Sequence, residues 1–261
     1  MEIKIYEINA FSAKNFSGNP AAVCPLKEFL PSNEMQSIAA QNNLPETAFI
    51  VHKSNNEYSI RWFAPESEVD LCGHATLAAS HALFQYIHPE LQTIIFNSAS
   101  GKLNVRKNNA FIELDFPARF PEKQTSILPI FHESSNSTPL EVLASDDYIV
   151  VLENEKEIQN LLVDMDKLAS LDRRGVIFTA KGTTADFVSR VFHPKLGIGE
   201  DPVCGSAHCQ LTPYWSQTLQ KRELKAKQLS PRGGEILCSV AGQRILLCGE
   251  AKTYLKGTLF I

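Results

Sequence analysis

The sequence of 261 residues lacks any apolar run of the roughly 18 residues that a membrane-spanning helix needs. It also lacks a basic surplus: 25 Lys and Arg stand against 29 Asp and Glu, a formal net charge of −4. Proteins that neutralise phosphates carry the opposite balance, so neither nucleic acid nor membrane is expected as a partner. Glycine (13) and proline (14) are modest beside a hydrophobic fraction of 44%, which excludes collagen-like, low-complexity and largely disordered chains. There is no GxGxxG loop, no GxxxxGK phosphate loop, and no G-x-S-x-G frame around Ser206, so nucleotide binding and serine hydrolysis are disfavoured. The start, MEIKIYEINAF, alternates apolar and polar residues and reads as a first strand, not as a signal peptide. The six cysteines (24, 72, 204, 209, 238, 248) are therefore expected as reduced thiols in the cytoplasm. A zinc site could draw on Cys72, His74, Cys204, His208 and Cys209, but C-x-H and C-x3-H-C are not the C-x2-4-C pairs of structural zinc. No metal is expected.

What the sequence does contain is a long internal repeat. Arg61, Phe63 and Pro65 match Arg190, Phe192 and Pro194 at an offset of 129 (190 − 61). Cys72, Gly73 and Ala75 match Cys204, Gly205 and Ala207 at an offset of 132 (204 − 72), after a three-residue insertion. Phe49 pairs with Phe178 at the first offset, and SASG (98–101) with SPRG (230–233) at the second. Two constant offsets read as a gene duplication, with a period too long for a solenoid. The expected halves are residues 1–118, completed by a C-terminal strand at about 251–261, and residues 119–250. Two such halves are expected to face each other across a pseudo-two-fold axis, with a ligand site where they meet.

Each half reads as α+β. EIKIYEINAF, TAFIVHK, YSIRWF, QTIIFNSASG, LNVR and AFIELDF are strand-like. TLAASHALFQYI and HCQLTPYWSQTL are helices with few charges, expected to be buried on most sides, with Pro213 near the start of the second or kinking it. PSNEMQSIAAQNN is a shorter helix with Ser32 as its expected N-cap. A sheet curled around one central helix, repeated twice, accommodates these elements.

The chemistry-bearing motifs are CGHA (72–75) and CGSA (204–207), each where a strand gives way to a helix. A helix N-terminus offers unpaired N–H groups and partial positive charge, suited to a carboxylate or enolate and able to lower a thiol pKa. His74 and Ser206 occupy matching positions; a histidine there can move a proton or hold a carboxylate. The acids ahead of the motifs, Glu68 and Asp70 or Glu200 and Asp201, read equally as loop acids or caps. Glu46, at the start of an apolar strand, reads from its residues alone as a solvated acid.

NAFSAKNFSGNPAAV (9–23), LPETAFI (44–50), RWFAPESEVDLCGHATLAAS (61–80), EDPVCGSAHCQLTPYW (200–215) and SPRGGE (230–235) resemble the PhzF family of phenazine-biosynthesis-like isomerases. The resemblance covers nearly the whole chain. It implies the diaminopimelate-epimerase fold and cofactor-free isomerisation of a small anionic substrate, often in a homodimer. It further implies that Glu46 moves the proton, assisted by His74, Asp201 and Ser206. Gly73, Ala75, Gly205, Ala207 and Asn19 are the substrate-binding positions. Burial in a closed cleft is expected to raise the pKa of Glu46. The family commonly has Thr where this chain has Cys204, whereas related epimerases and racemases carry a cysteine in each half. A two-thiol racemase using Cys72 and Cys204 is therefore one alternative, and a non-catalytic binding protein on the same fold is another.

Overall fold

The alternating N-terminal run forms β1 (Glu2–Ala10), which buries Ile3, Tyr6 and Ile8 and exposes Glu2 and Lys4. The structure, a computed structural model, describes residues 1–125 and 128–261. The chain divides into two compact units, Met1–Asp115 with Cys248–Ile261, and Phe116–Leu247.

In the first unit β1 is followed by β2 (Asn19–Leu26), α1 (Ser32–Asn42), β3 (Glu46–Ser54), β4 (Glu57–Phe63) and β5 (Glu68–Val69). Then come α2 (Gly73–Ala82, continued by a π turn, Leu83–Ile87), β6 (Thr93–Ser98), β7 (Gly101–Asn108) and β8 (Phe111–Pro117). The second unit runs β9 (Glu122–Lys123), α3 (Leu128–Ser134), β10 (Glu141–Ala144), β11 (Tyr148–Val151), α4 (Glu155–Gln159), α5 (Met165–Ala169) and β12 (Val176–Lys181). It continues with β13 (Phe187–His193), β14 (Ile198–Asp201), α6 (Gly205–Leu219), β15 (Glu223–Gln228), β16 (Gly234–Ala241) and β17 (Arg244–Gly249). The last strand, β18 (Ala251–Phe260), pairs antiparallel with β1.

Pairing repeats between the units. β2–β3 and β4–β6 are parallel in the first, β11–β12 and β13–β15 in the second, while β1–β2, β3–β4, β6–β7, β12–β13 and β15–β16 are antiparallel. Packing repeats as well. Phe49 meets Phe63 edge-on at 5.6 Å, and Phe178 meets Phe192 edge-on at 6.0 Å. Arg61 lies over Phe63 and takes both oxygens of Glu68; Arg190 lies over Phe192 and takes both oxygens of Glu200. Glu68 and Glu200 thus pin an arginine onto an aromatic ring.

Two expectations change. The first helix is not capped by Ser32: Pro31, at ψ 140°, takes the extended cap position and the helix begins at Ser32, whose hydroxyl accepts from Arg61. Pro213 lies in the middle of α6, where the carbonyl it frees on Cys209 accepts the Arg119 N–H at 3.1 Å. The segment 19–26 is a strand although Pro20 and Pro25 argue against one. Among the described residues no helix is long and apolar enough to cross a membrane.

The Phe49–Phe63 and Phe178–Phe192 pairs anchor separate cores. Phe49→Ala and Phe178→Ala are each expected to cost about 3–5 kcal/mol in urea denaturation.

Candidate active site

The central helices start alike. Cys72 and Cys204 both take the N-cap position in extended conformation, and neither side chain caps the helix. Both cysteine carbonyls are held from one turn on, Cys72 by the Thr76 hydroxyl at 2.5 Å and Cys204 by His208 Nδ1 at 2.7 Å. One turn further, Ser80 donates to the Thr76 carbonyl and Thr212 to that of His208. These bonds satisfy hydroxyls and one nitrogen of an imidazole inside buried helices, while first-turn N–H groups keep their anion-binding capacity. Gly73 and Gly205 are the first helical residues and neither has positive φ. Ala75 and Ala207 are fully buried.

In the first unit Glu46, Cys72 and His74 converge, all buried, with candidate ligand atoms within 4.8 Å of one another. Glu46 opens β3 beside Ala21 of β2, and Asn19, two residues before Ala21, lies on the same strand and is buried. His74 Nε2 is 2.8 Å from Glu46 Oε2, and His74 Nδ1 is 3.5 Å from the Cys72 sulfur. The pKa of Glu46 is lowered, not raised as expected. Burial pushes it up, but the charge of His74 and hydrogen bonds from His74 and Cys72 outweigh that push. His74 is raised well above its ordinary value: burial opposes its charge, and Cys72 and Glu46 together overcome the opposition. Cys72 itself is raised by burial and by Glu46, so it is a thiol at neutral pH and Glu46 supplies the countercharge. The arrangement is a buried ion pair with a thiol on its far side.

In the second unit Asp147 is fully buried and receives the guanidinium of Arg174 in a fork, Nε to Oδ1 at 2.9 Å and Nη2 to Oδ2 at 2.5 Å. Gln210 Nε2 donates to Oδ2 at 2.7 Å, and the Asp147 N–H donates back to Gln210 Oε1. His193 lies between two acids, Nε2 3.4 Å from Asp147 and Nδ1 3.9 Å from Asp201. Ser206 Oγ accepts from Arg174 at 3.1 Å and lies 3.3 Å from the Cys204 sulfur. Burial pushes Asp147 up, but His193 and Arg174 hold it far below the usual carboxylate range. The Cys204 thiol is raised well above its ordinary value by burial and by Asp201. Gln228 braces the turn, accepting from the Cys204 N–H and donating to the Asp201 carbonyl.

The sequence-predicted residues thus fall into two groups, Glu46, Cys72 and His74 in one and Asp201, Cys204 and Ser206 in the other. His208 and Cys209 stay apart from both as helix-core groups, burial pushing His208 down to about 4 and Cys209 up to about 12. Asp147, Arg174, His193 and Gln210 were missed. The register supplies the signal that could have found three of them. Thr47 faces Phe63 as Val176 faces Phe192, so Glu46 corresponds to Gly175, Pro45 to Arg174 and Ala64 to His193. Ala22 lies beside Thr47 as Tyr148 lies beside Val176, so Ala21 corresponds to Asp147. Where the halves disagree at these strand ends, functional side chains stand. At Gly175 a Cβ would lie 2.2 Å from the His193 ring. The imidazole occupies the space that the acid has in the other unit.

Ligand-type atoms lie within 4.8 Å of one another in both units, from Glu46, Cys72 and His74 in the first and from His193, Asp201 and Cys204 in the second, and a metal there would have to displace the thiol protons.

The model of the family described as phenazine biosynthesis-like protein matches residues 8–257. An uncharacterized isomerase of Pseudomonas aeruginosa is 44% identical, with all of both chains covered. A crystal structure of a phenazine biosynthesis protein of the PhzF family from Enterococcus faecalis superposes with a TM-score of 0.97 at 45% identity, over 100% of each chain. A hydroxyproline epimerase from Agrobacterium vitis shares the fold at 9% identity, with a TM-score of 0.62 over 99% of this chain and 92% of that one. The fold is α+β of the diaminopimelate-epimerase type.

The ion pair has a pH signature. The Glu46 contribution to stability is present above its ordinary 4.5 and is lost as pH falls through its lowered value. The His74 contribution is present below its ordinary 6.5 and is lost as pH rises through its raised value. His74→Asn is therefore expected to destabilise by about 3 kcal/mol between those two pH values, with a smaller deficit on either side. Urea denaturation of both proteins across pH measures it; a deficit that keeps growing into alkali contradicts the pairing.

Proposed function

Because the chain belongs to the phenazine biosynthesis-like (PhzF) family of isomerases, we propose that it moves a proton between positions on a small carboxylate-bearing substrate, with Glu46 as general acid and base. The observation that carries this reading is the buried Glu46–His74 pair, 2.8 Å apart at the head of an enclosed helix. A carboxylate held below its ordinary pKa is ionised at neutral pH, the state a base needs, and it becomes a stronger base only as its hold by His74 is relaxed. Taking a proton from an acidic C–H neutralises Glu46, and His74, still charged, favours the return of that proton to a different carbon. No net proton is consumed, as isomerisation requires.

His74 sets the charge and orientation of Glu46. The N–H groups after Gly73 stabilise negative charge that develops on the substrate. In the second unit Asp201, Ser206 and the N–H groups after Gly205 form a second polar set suited to orienting an anion or passing protons. The thiols serve as neutral neighbours. Both are raised by burial and by a nearby acid, the reverse of what a thiolate pair needs.

The test is solvent isotope uptake in deuterated water over a panel of small carboxylates with acidic C–H bonds. Glu46→Gln is expected to lower uptake by about 10²–10⁴-fold, while Cys72→Ser and Cys204→Ser keep most of it. Loss of exchange in either serine variant with retention in Glu46→Gln would transfer the chemistry to the thiols.

A further inference from the structure

The duplication leaves one group in the second unit with no counterpart in the first. Arg174 stands where the first unit has Pro45, and its partner Asp147 stands where the first has Ala21. A buried acid would ordinarily be expensive to keep, and nothing in the sheet requires it. Asp147 is fully buried and held by Arg174, by Gln210 and by His193, while the Arg174 side chain remains 34% exposed. Gln210 also reaches the Ser206 carbonyl at 3.4 Å, so the bonds close a ring: Ser206, Arg174, Asp147, Gln210 and back to Ser206. That ring fixes a guanidinium against the first turn of α6.

The donors of Arg174 are unevenly used. Nε and Nη2 bind Asp147, and Nη2 also donates to Ser206. Nη1 makes no hydrogen bond among the described residues. Ser206 Oγ accepts from Arg174, which leaves its one O–H available to donate, toward Cys204 or a substrate oxygen. A planar guanidinium held rigid on one edge, partly exposed, with a hydroxyl donor beside it, matches the two oxygens of a carboxylate.

We propose that Arg174 is the substrate-binding residue of the second unit: its Nη1 edge and the Ser206 hydroxyl together receive the substrate carboxylate, and Asp147 with Gln210 positions the guanidinium. This inference rests on the reading of the substrate as a carboxylate.

Binding alone tests it, independently of turnover, so a failure here is separable from a failure of Glu46 as the base. The full chain, labelled with ¹⁵N-arginine, is titrated with benzoate and with benzamide, its neutral analogue, while side-chain NMR resonances are followed. Arg174→Lys identifies the Arg174 signals by their disappearance. Benzoate is expected to shift those signals and benzamide to leave them in place. Arg174→Gln is expected to weaken benzoate binding about tenfold or more, with Arg174→Lys between it and wild type. A purely structural arginine would not distinguish the two probes. If Arg174→Gln fails to fold because Asp147 is left charged and unpaired, Asp147→Asn combined with Arg174→Gln removes that charge, and the wild-type titration decides in any case. Benzoate shifts absent from Arg174, or confined to other arginines, overturn the assignment. So does undiminished benzoate binding by a folded Arg174→Gln variant.

Discussion

A helix buried along nearly its whole length has no water to complete its polar groups, and that constraint organises both units. In α2 the hydroxyls of Thr76 and Ser80, and in α6 the His208 imidazole and the Thr212 hydroxyl, turn back onto the carbonyl one turn earlier, and the first of these carbonyls belongs to the N-cap cysteine. The same bonds that make the helices tolerable inside the protein fix the turn that precedes them. The glycine, the histidine or serine, and the free N–H groups of the first turn are thereby held in place. Site geometry at Cys72 and Cys204 is a by-product of satisfying the interior.

Glu46 and His74 then make sense as a unit. Each would be unfavourable as a lone charge beneath the surface, and each is retained because the other is there. Burial and pairing pull the Glu46 pKa in opposite directions, and pairing wins, which makes the residue a base in its resting state. An expectation built on burial alone takes the wrong sign because it omits the partner that the fold delivers from the helix head to the strand start.

Much of the architecture was legible in the sequence. Alternation marked β1, short β-branched and aromatic-rich runs marked β3, β4 and β8, and two constant offsets exposed the duplication. The helix-head motifs were visible because cysteine and glycine recur together. Less visible was β2, whose prolines mask its strand character, and the burial of Glu46, which depends on β2 lying parallel to β3. Arg174, Asp147 and His193 escaped notice for a physical reason. They come from three separate strand ends, and local pattern carries no information about a junction made by long-range pairing. Only comparing the halves position by position, with strand register in hand, shows that they replace Pro45, Ala21 and Ala64.

The exchange at Gly175 bears on how such a molecule can change. Once the imidazole of His193 filled the room above that glycine, the two halves ceased to be interchangeable. A glutamate placed there would drive its Cβ into the ring and against the Phe192 carbonyl, 2.5 Å away. The backbone as well as the imidazole would have to move before the second half could carry an acid where the first carries Glu46, so exchanging side chains alone does not make the halves alike again.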